Sequence, residues 1–177
     1  MDQRKGHMLS RELSHSYKKD FVAVHHHLLP GLAGMARMDP NAPAENKEDS
    51  LIDAKMSKSV PGSAIFIHDS EDEIKGKIKK AYCPEKNTDG NPMIEYAEYL
   101  VMRDKPLRIE RPAKFGGDLD IVDAEELKRI YLDGKLHPMD LKNAVSRELC
   151  DLLKPSREYF AKNKHYLEQI TAKDITR

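Results

Sequence analysis

Apolar positions along this chain fall into two periods, and together they predict a series of short elements. Met8, Leu9 and Leu13 recur at helical spacing and predict a helix over 3–14. Phe21 to Leu28, FVAVHHHL, is rich in β-favouring residues and predicts a strand. Residues 30–54 carry three prolines and two glycines among many charges, with no apolar period, and predict a long loop. Ala64–Ile67 predicts a short buried strand. Ser70 then caps a helix, with Glu73 placed three residues on for a capping box and Ile74, Ile78 and Tyr82 (or Ala81) on one face.

Helical spacing continues beyond this point. Met93 to Met102 predicts a helix, and Leu107–Arg111 and Asp118–Val122 predict two short strands around the Gly116-Gly117 turn. Asp123 caps the next helix with Glu126 in the box position, burying Leu127 and Ile130. Pro138 suits the first position of another helix. Its buried face is predicted at Leu141, Val145, Leu149 and Leu152, with Pro155 ending it and a last amphipathic helix running to about Ile170. The pattern changes near residue 70. Residues 1–70 read as the end of an α/β unit and residues 71–177 as a mainly helical domain, so the expected class is helix-rich α+β.

Composition narrows the function classes. Thirty basic and thirty acidic side chains give zero net charge, which argues against a protein that coats itself in nucleic acid but permits local phosphate-binding patches. One such polarity runs through 69–80, where Asp69, Glu71, Asp72 and Glu73 precede Lys75, Lys77, Lys79 and Lys80. That order complements a helix dipole, and the lysines are equally suited to an RNA contact. Cys83 and Cys150 lie far apart and outside any metal-ligand spacing. No apolar run approaches the roughly 18 residues of a spanning segment, and the polar start is unlike a secretory signal. The expectation is a cytoplasmic protein with two reduced thiols and no membrane partner.

The chemistry concentrates in one pentapeptide, Lys55-Met56-Ser57-Lys58-Ser59, followed by Pro61 and Gly62. Two ammonium groups and two hydroxyls on a loop suit the polyphosphate of a nucleotide. A long loop feeding into it fits a hinge that opens and closes over a substrate. His25, His26 and His27 raise the question of a metal. In a strand His25 and His27 would share a face, but no third ligand is evident, so no metal is expected.

KMSKS is the signature loop of class I aminoacyl-tRNA synthetases. Four further blocks, Asp2–Leu13 (DQRKGHMLSREL), Ile78–Glu85 (IKKAYCPE), Lys114–Leu119 (KFGGDL) and Leu136–Val145 (LHPMDLKNAV), closely resemble tyrosyl-tRNA synthetases of the archaeal and eukaryotic type. The resemblance runs from residue 2 to about 157 and covers about half of such an enzyme. It implies the closing part of a Rossmann-type catalytic domain followed by an anticodon-binding domain. It also implies tyrosine, ATP with Mg2+ as substrate, and tyrosine tRNA as partners, with no tightly bound cofactor.

By that resemblance Lys55 and Lys58 stabilise charge on the leaving pyrophosphate, and Met56, Ser57 and Ser59 complete the ATP-binding loop. Lys58 stands where many archaeal relatives have serine. Asp2 would accept from the ribose hydroxyls of ATP and Gln3 would contact the tyrosine. Arg4 and Lys5 would touch the tRNA acceptor end, with Gly6 replacing the usual apolar residue. Phe115, His137 and Asp140 would hold the first anticodon base, a guanine, stacked on Phe115 and read at its Watson–Crick edge by Asp140. Arg103, Lys105, Arg108, Arg111 and Lys114 flank that pocket, and either track the RNA backbone or solvate a surface.

No H-x-G-H element occurs in the sequence. The expectation is therefore the C-terminal half of the enzyme, inactive alone in tyrosine activation, with exposed apolar surface where the other half would pack. A full-length homodimer is implied, and the oligomeric state of this half is left open. Three alternatives stay open here: a tRNA-binding module derived from the synthetase, a tryptophanyl-tRNA synthetase sharing the loop, and a purely structural descendant.

Overall fold

The computed structural model describes residues 4–34, 56 and 62–168. Helix α1 spans Arg4–Tyr17. Helix α2 spans Glu71–Lys80, and α3 spans Pro92–Tyr96 before passing into a π-turn over Ala97–Val101. Strands β1 (Leu107–Ile109) and β2 (Leu119–Ile121) pair antiparallel, with Leu107 opposite Ile121 and Ile109 opposite Leu119. Helices α4 (Ala124–Leu132) and α5 (Pro138–Lys162) follow. No described helix is long and apolar enough to cross a membrane.

The core lies where α5 packs on α2, α3 and β1. Ile74, Ile78, Met93, Ile94, Tyr96, Leu107, Ile109, Ile121, Leu127, Leu141 and Val145 are fully buried there. Burial of this kind is worth roughly 1.5–3 kcal/mol per large aliphatic side chain. The segment before α2 joins this core. Leu32 is buried, Leu32 N–H donates to Ser63 O at 2.9 Å, and the Tyr96 hydroxyl donates to Pro30 O at 2.7 Å.

The cap of α2 matches its sequence signal, and that of α4 matches at Asp123 but not at the box position Glu126. Ser70 Oγ accepts from Glu73 N–H while the Glu73 carboxylate accepts from Ser70 N–H at 2.8 Å. Asp123 accepts from Glu126 N–H at 2.8 Å, and Glu126 reaches one residue further back, to Val122 N–H. Pro138 occupies the first turn of α5 as expected. The 69–80 charge order is a helix with acids in its first turn and lysines in its last.

Five local expectations are corrected. Residues 21–28 form no strand: Val22 and Val24 stand in solvent with no ladder partner among the described residues, and β-propensity without a partner strand does not make a sheet. His25 and His27 consequently do not share a face. His25 lies 4.9 Å from His7, ring centre to ring centre, while His27 stacks on Tyr99 at 3.8 Å and pairs with Glu95. Residues 64–67 are also not a strand. Phe66 N–H donates to the Asp69 carboxylate at 2.8 Å, a local turn that competes with sheet pairing.

Pro155 does not end α5, which runs on to Lys162. A proline deletes one helical hydrogen bond and crowds the carbonyl four residues back. Here Arg157 donates to Cys150 O at 3.1 Å and to Glu71 at 2.9 Å, which ties the far side of the proline to α2. Leu152 is 51% exposed, because Leu153 takes the next core position after Leu149 at i+4 spacing. Most of the 30–54 loop and the last residues toward Ile170 lie outside the described residues.

The capping box carries a pH signature. Hydrogen bonds from the Ser70 hydroxyl, then from its backbone N–H, hold the Glu73 carboxyl below its ordinary value of 4.5. A lowered folded value contributes stability above about pH 4.5 that fades as pH falls through the folded value. Glu73→Gln keeps an acceptor but removes the titration. Urea denaturation from about pH 6 to 3 should show a shallower acid loss for Glu73→Gln than for the parent, and identical limbs would contradict this assignment.

Candidate functional site

Three loops meet beside the start of α5. The first leaves β1 at Arg111, turns through Ala113–Phe115, and reverses at Gly116 (φ 101°) and Gly117 (φ 72°) into β2. Both glycines occupy the left-handed region that a side chain resists. A Cβ at Gly116 would also stand 3.0 Å from Arg111 Nη2. This turn pushes the Phe115 ring outward, 60% exposed, with Lys114 Nζ 4.9 Å from its centre.

The second loop links α4 to α5. Gly134 N–H donates to Tyr131 O and Lys135 N–H to Ile130 O, both at 3.0 Å, with Gly134 at φ 73°. This paired closure stops α4 and sends the chain straight to His137. His137 caps α5: its Nδ1 accepts from Met139 N–H at 3.1 Å, so that nitrogen carries no proton and Nε2 does. Asp140 follows in the first turn, half-buried, where a carboxylate complements the helix dipole.

Arg111 joins the two. Its Nε donates to Gly117 O at 2.7 Å and its Nη1 to Lys135 O at 2.8 Å. The Asp118 carboxylate accepts from Arg111 N–H at 3.2 Å and from Arg108 Nη2 at 2.9 Å, steadying the same turn. The loop bearing the aromatic ring and the turn that leads through His137 into α5 thus share one planar, permanently charged frame.

The third loop, 83–86, forms a further wall. Glu85 lies 3.7 Å from His137 Nε2, and the stem of Lys86 lies across Gly134. Tyr131 holds this loop, its hydroxyl donating to Pro84 O at 2.8 Å and lying 3.2 Å from Cys83 Sγ. Burial pushes both the Tyr131 hydroxyl and the Cys83 thiol up from their ordinary values, so both stay neutral and serve as structure.

The structure therefore ties the loop that carries Phe115 to the turn that leads through His137 into the first turn of α5, where Asp140 stands. Lys5 stands exposed on α1. Of the pentapeptide, Met56 alone lies within the described residues; its N–H donates to Leu29 O at 3.3 Å, and it packs against the core. Lys55, Ser57, Lys58, Ser59, Asp2, Gln3 and the side chain of Arg4 lie outside the described residues. The sequence reading missed Arg111 as a frame, treating it as one of several surface cations, and gave loop 83–86 no role. Glycine beyond the last apolar residue of α4 was the available signal for the second loop.

A family model for class I tRNA synthetases, the W and Y type, matches residues 1–154, so the chain belongs to that family. Within it the similarity is to archaeal tyrosine–tRNA ligases: 46% identity with that of Thermococcus sibiricus and 45% with that of Pyrococcus furiosus, each over 192 aligned positions. Both alignments take in all of this chain and 50% of the relative, so the chain spans about half the length of the relatives it matches. Tyrosyl-tRNA synthetase from Pyrococcus horikoshii, solved with L-tyrosine, superposes with a TM-score of 0.84 at 41% identity, over 97% of this chain and 49% of that one. A tryptophanyl-tRNA synthetase from Giardia lamblia matches less well, with a TM-score of 0.56 at 25% identity over 87% of this chain and 32% of that one.

The frame makes a stability prediction. Gly116→Ala forces a side chain into a left-handed backbone, worth about 1–2 kcal/mol, and crowds the Arg111 guanidinium. Chemical denaturation should show a loss of at least that size. An unchanged midpoint and slope would mean that the turn is looser than described.

Proposed function

We propose that this chain is the C-terminal half of a tyrosine–tRNA ligase of the archaeal and eukaryotic type, with residues 1–70 closing the catalytic domain and 71–177 binding the anticodon. The observation that carries this reading is the Arg111 tie between the Phe115 loop and the turn that leads through His137 into α5. An exposed ring and a carboxylate on one frame suit a base that is splayed out of its stack. Stacking on Phe115 contributes roughly 1–3 kcal/mol. Asp140 accepts from the N1–H and amino donors of guanine, a pair that adenine and the pyrimidines do not present.

In the complete enzyme, the tyrosine carboxylate attacks the α-phosphate of ATP and pyrophosphate leaves. The tyrosyl group then passes to the terminal ribose hydroxyl of the tRNA and AMP leaves. Lys55 and Lys58 are the residues proposed to meet the growing charge on pyrophosphate, in a loop completed by Met56, Ser57 and Ser59. Asp2 is assigned to the ribose of ATP, Gln3 to tyrosine, and Arg4 and Lys5 to the acceptor end. ATP enters with Mg2+ as substrate, the compartment is the cytoplasm, and the full-length enzyme is a homodimer.

The tie between the Phe115 loop and the turn before α5 equally suits a second reading, in which this chain binds tRNA by its anticodon and catalyses nothing alone. Both readings predict no ATP–pyrophosphate exchange by the isolated polypeptide, and exchange would overturn both. They also predict binding of a tyrosine tRNA anticodon hairpin. Asp140→Ala should lower that affinity by about 1–3 kcal/mol, the range of a good base-specific contact, while Lys55→Ala leaves it unchanged. Equal affinity for wild type and Asp140→Ala would remove the anticodon assignment. Restored exchange on adding the other half of a relative as a separate polypeptide would decide between ligase half and binding module.

A further inference from the structure

Helices α2 and α5 leave a groove of about 440 Å3 between them, within the roughly 300–1,000 Å3 typical of ligand sites. It opens beside Met139 and Lys142, within one turn of Asp140. Lys75 and Lys79 form its α2 wall, with Lys142 and Asn143 opposite. Ser146 lies in its lining: the residue is 7% exposed, and its buried hydroxyl has no hydrogen-bond partner among the described residues. A buried donor of this kind is costly until an acceptor reaches it.

The charges are unevenly committed. Lys79 has no ion-pair partner among the described residues. Lys142 Nζ donates once, to Lys79 O at 3.1 Å, and keeps two further N–H groups. Lys75 pairs with Glu71 at 3.3 Å, and Glu71 is also held by Arg157. Arg147 is occupied by Glu110, Glu148 and Arg108 O, so it acts as a wall. The acids that face the groove, Glu71 and Asp151, lie toward the end away from Asp140. The end nearest the candidate base pocket is therefore cationic and rich in donors, which is the chemistry of a phosphate seat.

We infer that this groove seats the sugar–phosphate backbone of the RNA strand whose base is inspected at Asp140. The inference rests on the anticodon reading for the identity of the strand. Lys142, Asn143 and Ser146 lie two to six residues beyond Asp140, about 3–9 Å along the helix axis at 1.5 Å per residue. At roughly 3.4 Å per nucleotide, this is the span of one to three phosphates. Contacts of this sort fix register and carry no sequence information.

The test is a salt titration of anticodon-hairpin binding by the full 177-residue chain, followed by fluorescence anisotropy. Lys79→Ala removes a cation that has no ion-pair partner among the described residues. It should weaken binding about 4–6-fold at 0.15 M salt and flatten the slope of log K against log salt by about 0.7–0.9. Lys79→Ala with Lys142→Ala should weaken binding roughly 10–30-fold, and Lys79→Arg should restore wild-type behaviour. The loss should be the same on a hairpin whose first anticodon base is replaced.

If Lys79→Ala leaves affinity and slope unmoved while Asp140→Ala weakens binding, the groove inference falls and the anticodon reading stands. If Lys79→Ala acts as stated while Asp140→Ala does nothing, the groove stands and the base-reading role falls. If inorganic phosphate alone shifts the Lys79 and Ser146 amide resonances while the RNA slope ignores Lys79→Ala, the groove is a free-phosphate site and the inference is overturned. No measurable hairpin binding by the wild-type chain overturns it as well.

Discussion

Arg111 donates from Nε to Gly117 O and from Nη1 to Lys135 O, and by doing so gives two otherwise independent turns a common geometry. Both turns are built on glycine. The first reverses through two glycines in left-handed backbone, and the second is a helix stop built on a third. Loops of this composition are mobile unless something fixes them. A guanidinium suits the task because it is planar, always charged, and presents its donors in a fixed fork. Lysine would reach one carbonyl and lose the other. The exposed Phe115 ring and the half-buried Asp140 carboxylate depend on this link for their relation to each other.

The rigid ground beneath the frame is the packing of α5 on α2, α3 and β1. Leu141 and Val145 are buried in the turns that follow Asp140, so the first turn of α5 cannot shift without disturbing the core. Tyr131 extends the same support to the 83–86 loop through Pro84 O. Zero net charge becomes intelligible at this level. Acids neutralise the cations that build the fold, such as Arg147 and Arg157, and among the described residues leave Lys79 and the outward face of Lys142 without carboxylate partners. A locally basic edge on a neutral protein allows phosphate contact without indiscriminate binding.

Local signals were legible in the sequence wherever one residue type solves one local problem. Ser70, Asp123 and Pro138 announce helix starts because unpaired N–H groups demand them. The strand pair around Gly116-Gly117 was legible for the same reason, while Phe115, His137 and Asp140 were singled out only through resemblance. Features settled by distant partners were not. FVAVHHHL has strand composition but no neighbouring strand among the described residues. Pro155 has breaker chemistry, yet Arg157 reaches back to Cys150 O and across to Glu71. Arg111 looked like one basic residue among five, because nothing in the local sequence shows that Lys135 O will stand beside it.

Double-mutant cycles probe the frame most directly. Phe115→Ala and Asp140→Ala, singly and together, are measured for anticodon-hairpin affinity with Arg111 intact and again in Arg111→Lys. With the guanidinium present the two losses should couple by about 0.5–3 kcal/mol, as residues on one rigid unit do. In Arg111→Lys that coupling should fall to zero. Additive losses with Arg111 intact, or coupling that survives its replacement, would contradict the account.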